Sequence, residues 1–188
     1  MKILFFLSLF VLVSCKAQTY PLNTSAFDIP ANGYLKDTNN ELNKYVGLWK
    51  GNWNGKQVFV ELRKVKYHYN GNHPYYEDRI LGERKIISST GQIEIDRITN
   101  FDLQRPEIRG MFTSPKIGST NQQFTFYPRN MCGKSAVLEI TNMTTTTMTL
   151  HFMYEPSRYD PNCIHNAYVD QHGDFPINFP KDIVLTKQ

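Results

Sequence analysis

Long apolar runs are missing from most of this chain. The one at Ile3 to Val13 is broken only by Ser8, and its eleven residues fall well short of the ~20 that a membrane-spanning helix needs. A large charge of one sign is missing too. Lys and Arg number 21 against 17 Asp and Glu, a net charge of +4, which is no nucleic-acid footprint and leaves nucleic acid out of the expected partners. Catalytic signatures are missing: there is no G-x-S-x-G, no Gly-rich phosphate loop and no zincin motif, so no catalytic residue and no cofactor is expected. No stretch carries a helical moment with caps. Hydrophobic residues at 40% and charged residues at 20% exclude both a disordered tail and an integral membrane protein.

What is present is aromatic and alternating. Aromatics reach 13%, with 11 Tyr and 12 Phe, which suits sheets better than helices. Val58, Val60 and Leu62 alternate with Gln57, Glu61 and Arg63, and Phe59 interrupts the polar face. Ala136, Leu138 and Ile140 alternate with Val137, Glu139 and Thr141. Met148, Leu150, Phe152 and Tyr154 alternate with Thr147, Thr149, His151 and Met153. Phe124 and Phe126 flank Thr125. These are half-buried strands. Asn54-Gly55, Asn70-Gly71, Thr90-Gly91, Ile117-Gly118 and Asn142 to Thr145 fall between them as turns, Asn-Gly being the strongest short hairpin signal. Strands are expected over 45–53, 57–67, 75–87, 92–98, 107–113, 122–127, 135–141, 147–154 and 182–187. The fold class is all-β: an antiparallel up-and-down meander of about eight strands, closing as a small barrel or sandwich. Residues 155–181 read as one long loop with prolines at 156, 161, 176 and 180; a loop of that length is often functional or pinned down.

The N-terminus has its own logic. Met1-Lys2 followed by the apolar run reads as a secretory leader. Leu12-Val13-Ser14-Cys15 resembles a bacterial lipobox, with an apolar residue three before the cysteine and a small one just before it. The thiol is needed because a thioether carries the diacylglyceryl group, and cleavage then frees the Cys15 amine for a further acyl chain. Two or more chains anchor stably where one is marginal. The alternative is an ordinary secretory signal with a chance cysteine. The division expected is a signal peptide over 1–14, a lipidated cysteine and flexible tether over 15–44, and a barrel-like domain over 45–188. Tyr20 to Asn43 holds Pro21, Pro30, Gly33 and many Asn, Thr and Ser with no surviving period, which suggests the tether.

Cys132 and Cys163 remain. An exported compartment is oxidising, so a disulfide between them is the natural pairing. Two unbonded thiols or metal ligands are the alternative.

Tyr45-Val46-Gly47-Leu48-Trp49 resembles the first strand of lipocalin-like barrels. That resemblance implies an indole, here Trp49, at the closed end of the barrel, often under a late basic side chain, a part that Lys187 could play. Phe179 to Leu185 likewise resembles the closing strand of such domains. A closer resemblance runs from Met1 to about Gly82. Ser14-Cys15-Lys16-Ala17-Gln18 is similar to leaders of lipoproteins from the Bacteroidetes. Asp37-Thr38-Asn39-Asn40, Leu42-Asn43, Tyr45, Gly47 and Trp49 follow, then Tyr76, Asp78, Ile80 and Gly82. Together they resemble a small flavobacterial lipoprotein family known only as a domain of unknown function, which implies localisation and fold and carries no activity. In that phylum acidic residues after the lipidated cysteine go with surface export. Lys16-Ala17-Gln18 lacks them, so the resemblance implies a lipid anchor in the outer membrane with the domain facing the periplasm.

Other clusters have plain readings beside functional ones. Asp170, His172 and Asp174, with His165 nearby, could hold a cation, but loops collect Asp, His and Gly for turn reasons, and no metal is expected. Asp37, Asn39 and Glu41 echo a calcium loop but lack its glycine, so an Asx turn is expected. Glu77 and Asp78 are adjacent and should point to opposite faces of a strand. His68 and His73 flank a turn and read as solvated. Tyr67, Tyr69, Tyr75, Tyr76 and Tyr127 either cover the core or stack on sugars or a protein partner. Lys50, Lys56, Arg63, Lys64 and Lys66 read as a solvated face or as a surface for anionic lipid or glycan.

The function expected is a lipid-anchored envelope protein, attached to the membrane through Cys15. A hollow barrel would bind a small apolar ligand. If Leu62, Leu138, Phe124, Phe126, Leu150 and Phe152 fill the interior, the domain is instead an interaction module whose rim and long loop contact an envelope protein or glycan.

Overall fold

The computed structural model describes residues 18–110, 122–129, 131–154, 160–173, 176 and 179–188. Its strands are β1 (Thr19–Pro21), β2 (Tyr34–Lys36), β3 (Gly47–Trp53), β4 (Lys56–Tyr69), β5 (Tyr75–Ile87), β6 (Ile93–Asp96), β7 (Ile108–Gly110), β8 (Gln123–Phe126), β9 (Ala136–Met143), β10 (Thr147–Tyr154) and β11 (Asp182–Lys187). One helix, α1 (Asn166–His172), and a 3-10 turn over Ala26–Asp28 complete the described elements. In space the strands run β5-β4-β3-β11-β10-β9-β8-β7, and β7 pairs back onto β5. This is a closed antiparallel barrel of eight strands. Closure removes the free edges that an open meander would leave.

The local causes are those of the sequence. Trp53 pairs with Lys56 across Asn54-Gly55, and both turn residues have positive φ, 49° and 79°. That is the conformation a two-residue type I′ hairpin needs. On β4 the inward residues are Val58, Val60 and Leu62, each at most 1% exposed. Their partners Ile86, Arg84 and Gly82 on β5 face inward with them. One cluster fills the barrel, with Trp49, Phe124, Phe126, Phe152 and Phe179 as its large members. Phe126 packs against Phe152 and Phe179, with centroids 6.1 and 5.3 Å apart.

β5 is longer than the barrel and uses one edge three times. β2 pairs with it at Tyr76 and Glu77, β7 at Leu81 and Gly82, and β6 at Lys85 to Ile87. Gly47 pairs with Leu62, so β4 beyond Leu62 and the facing half of β5 project past the start of β3 as a hairpin. We call this the hairpin end. At the other end lie the loops 97–107 and 127–135 and the segment around α1; we call it the loop end.

Two expectations differ from this structure. Tyr20 to Asn43 is not a flexible tether. β1 pairs in parallel with β2, and β2 with β5, while Ile29 and Leu35 are 2% and 1% exposed. The pairing is carried by only a few residues at a time, too short for a sequence period to show. The long loop over 155–181 contains α1, which has no side-chain N-cap and buries none of its residues. Its conventional signals are both at the C-terminus: His172 in the last turn and Gly173 in the left-handed region as C-cap.

Candidate functional site

The barrel interior is the first place to look for a site, and it is occupied by side chains. Gly47 has φ of 136°, a conformation that favours glycine. A Cβ there would meet Lys187 Cε at 2.9 Å. The missing side chain lets Lys187, paired with Trp49 across β11 and β3, bring its Nζ to 5.3 Å from the indole centroid. Trp49 is fully buried and its Nε1 donates to the Tyr45 carbonyl at 2.8 Å. Gly47, Trp49 and Lys187 thus stand together at the hairpin end of the axis.

Towards the loop end an ion pair replaces apolar filling. Arg84 Nε donates to Glu107 Oε2 at 2.8 Å, and both side chains are 1% exposed. The guanidinium lies 4.9 Å from the Phe126 centroid. Glu107 Oε1 also accepts from the Arg129 backbone N–H at 3.3 Å. Arg84 faces inward between Gly82 and Ile86, a position that sequence reasoning missed. Its partner was missed too, because Glu107 lies in a loop.

The outer face of β5 carries two more buried carboxyls. Glu77 is fully buried beside Arg79, to which it is ion-paired. Burial pushes its pKa up to about 7, against the opposing pull of Arg79. Glu83 is also fully buried, with Arg129 Nη2 at 3.9 Å. Burial, then the neighbouring charge of Glu107, pushes it up to about 7. Among the described residues neither carboxyl lines the clefts at the hairpin end.

At the hairpin end lies a small open cleft, lined by Leu22, Leu42, Tyr45, Asp78, Ile80 and Phe124 among others. Tyr45 and Phe124 meet edge to face at 5.9 Å and belong to the core. They separate the cleft from the barrel axis. The Asp37 carboxylate, buried nearby, accepts from the backbone of Glu41 and Leu42 at 2.8 and 3.0 Å and from Lys64 Nζ at 3.2 Å. This is an Asx-type cap for the turn that closes this end.

The remaining sequence candidates disperse. Asp78 accepts from the Tyr34 hydroxyl and the Asp37 N–H, on the face opposite Glu77. Asp170 and His172 lie on α1, where residues two apart point roughly 200° from each other. Asp174 lies outside the described residues, as does Cys15. Among the described residues no group of three His, Cys, Asp or Glu is placed to hold a metal. Tyr67, Tyr69, Tyr75 and Tyr76 sit on the projecting hairpin, not over the core. Tyr69 faces Tyr75 at 5.3 Å, His68 stacks on Tyr76 at 4.6 Å, and Lys66 lies over Tyr34 and Tyr76 at 4.5 and 4.3 Å. His73 is not simply solvated: its Nε2 is 2.7 Å from the Ile29 carbonyl. Tyr127 is at the loop end, with Arg109 over its ring at 5.4 Å.

Cys132 and Cys163 form a disulfide. It ties the loop after β8 to the segment that leads into α1, with Met131 and Val169 packed beside it. Leu103, Tyr127, Ile164 and Tyr168 are exposed on these loops at 46, 43, 83 and 40%. Among the described residues no helix is long and apolar enough to cross a membrane.

These features define a closed eight-stranded antiparallel barrel with a filled axis, a disulfide-pinned loop end and a projecting aromatic hairpin. The chain belongs to a family of unknown function, DUF6705, whose model matches residues 1–188. No curated protein and no solved structure matches it.

Proposed function

We propose that this protein is a lipid-anchored envelope protein whose barrel is a rigid interaction module for another envelope protein, not a carrier of a small apolar ligand. The filled barrel axis supports this reading. A barrel of eight strands is just wide enough either to be filled by side chains or to hold one small ligand, and here Trp49, Phe124, Phe126, Phe152 and Phe179 take that space. Ile164 and Leu103 on the loop end are aliphatic and exposed. They favour a protein partner over a glycan, because sugars stack on flat rings. The lipobox at Leu12 to Cys15 supports the anchor, and Lys16-Ala17-Gln18, without acidic residues, supports an outer-membrane position facing the periplasm.

Native mass spectrometry of the 18–188 domain from its own envelope, with lipid extraction, tests the first part. A bare mass is expected; an apolar molecule held at near one per chain overturns the packed-module reading. Crosslinking in the intact envelope should capture a protein with the wild type and lose it with Ile164→Asp and Tyr168→Ala. For the anchor, Cys15→Ala should abolish labelling by an alkyne fatty acid and release the protein from membranes.

A further inference from the structure

We infer that the hairpin end of the barrel lies flat against the lipid headgroups, with Phe27 inserted between them, so that the loop end points away from the membrane. This rests on the lipid-anchor reading above and adds an orientation and a contact surface to it.

The argument begins with chain length. Gln18 is tied to the barrel: its carbonyl accepts from the Tyr34 N–H at 3.1 Å. From Cys15 to Gln18 is three residues, a reach of at most ~11 Å. The headgroup layer of a leaflet is itself roughly 5–8 Å thick. A barrel attached by so short a lead cannot stand clear of the bilayer.

Topology says which end is held there. Thr19 pairs with Tyr34, Tyr34 with Tyr76 and Tyr76 with His68. The anchored chain therefore enters at the level of the hairpin tip. The 29–33 turn lies at the same level, since the Asn32 N–H donates to the Pro74 carbonyl at 2.7 Å and the Tyr76 N–H to Gly33 at 2.8 Å.

The chemistry of that end fits an interface. Phe27, on the 3-10 turn two residues before Ile29, is 92% exposed, the most exposed of the large apolar side chains described. None of the described residues covers it, and a phenyl ring at that exposure gains by leaving water. Tyr69 is 45% exposed, and tyrosine is a residue of membrane–water interfaces. Lys36 and Lys66 are exposed there and suit anionic headgroups. Of the carboxyls of this end, Glu77 pairs with Arg79, Asp78 accepts from Tyr34 and Asp37 caps its turn, while Glu41 on that turn is exposed. Asp28 is the exposed carboxylate beside Phe27.

The test uses full-length protein in vesicles of phosphatidylethanolamine and phosphatidylglycerol with brominated acyl chains. Phe27→Trp is compared with Ile164→Trp at the far end, each read above the wild-type emission of Trp49 and Trp53. A blue shift and loss of emission are expected at position 27 and neither at 164. Equal quenching at the two positions, in protein whose mass shows diacylglycerol on Cys15, overturns the orientation and leaves the anchor standing. A mass without lipid on Cys15 overturns both.

Discussion

Single residues decide what occupies the barrel axis. Arg84 and Glu107 are held in a place where apolar side chains would serve, and the energetics of such a pair are lopsided. Removing one partner of such a pair is strongly destabilising, by about 3–5 kcal/mol, whereas replacing both with apolar groups of similar size is often neutral. Glu107→Ala should therefore lower the urea midpoint sharply, while Arg84→Met with Glu107→Leu should fold with nearly wild-type stability. If the double variant is no better than the single one, the pair has a role in specifying the fold that its Coulomb energy does not describe. The loss in Glu107→Ala includes the acceptor of the Arg129 N–H. That part is smaller, because Arg129 is exposed.

Elements show where sequence and structure part. The strands over 75–87, 147–154 and 182–187 stand at the residues expected, and in 147–154 the alternation of Met148, Leu150 and Phe152 with polar neighbours marks the strand directly. β1 and β2 have three residues each, and their order comes from pairing with β5, which no local pattern encodes. The site follows the same rule. Cys132 with Cys163 was legible from residue type and compartment, and Gly47 with Trp49 came only through the resemblance of residues 45–49 to a barrel's first strand. Glu83, Glu107 and Phe27 were not legible, because their burial or exposure is set by distant segments. Two element-scale consequences can be measured. Removing 18–36 opens the edge of β5 at Tyr76 and Glu77, and an open edge recruits other strands; light scattering should show self-association that the intact domain lacks. Cys132→Ser with Cys163→Ser should cost roughly 3–4 kcal/mol in the chain-entropy model, for a bridge spanning 31 residues. The far-ultraviolet spectrum of the barrel should persist, and cleavage by protease should concentrate in 160–173.

At the scale of the whole molecule, the two covered carboxyls on the outer face of β5 set how stability depends on pH. Glu77 and Glu83 have native pKa values raised from 4.5 to about 7, so between those limits the folded chain holds protons that the unfolded chain has released. Stability then falls as pH rises. The contribution is complete below about 4.5 and is lost as pH passes through about 7. Asp96 and Asp102 act in the opposite sense, held low by Lys85 and by the Arg105 N–H. They titrate below their ordinary 3.8 and leave the window above 4.5 untouched. Urea midpoints measured from pH 5 to pH 8 should therefore decline, where a barrel with ordinary carboxyls would stay level. Glu77→Gln and Glu83→Gln should each flatten part of the slope. The two parts should add, since β2 pairs with β5 at Glu77 while Asp102 and Arg129 lie beside Glu83, with no shared partner. Deletion of 18–36 should remove the Glu77 part alone, because β2, whose Leu35 pairs with Glu77, is then gone. A level profile in the wild type would mean that water reaches both carboxyls in solution, and that the coverings of β5 open at each end of the strand.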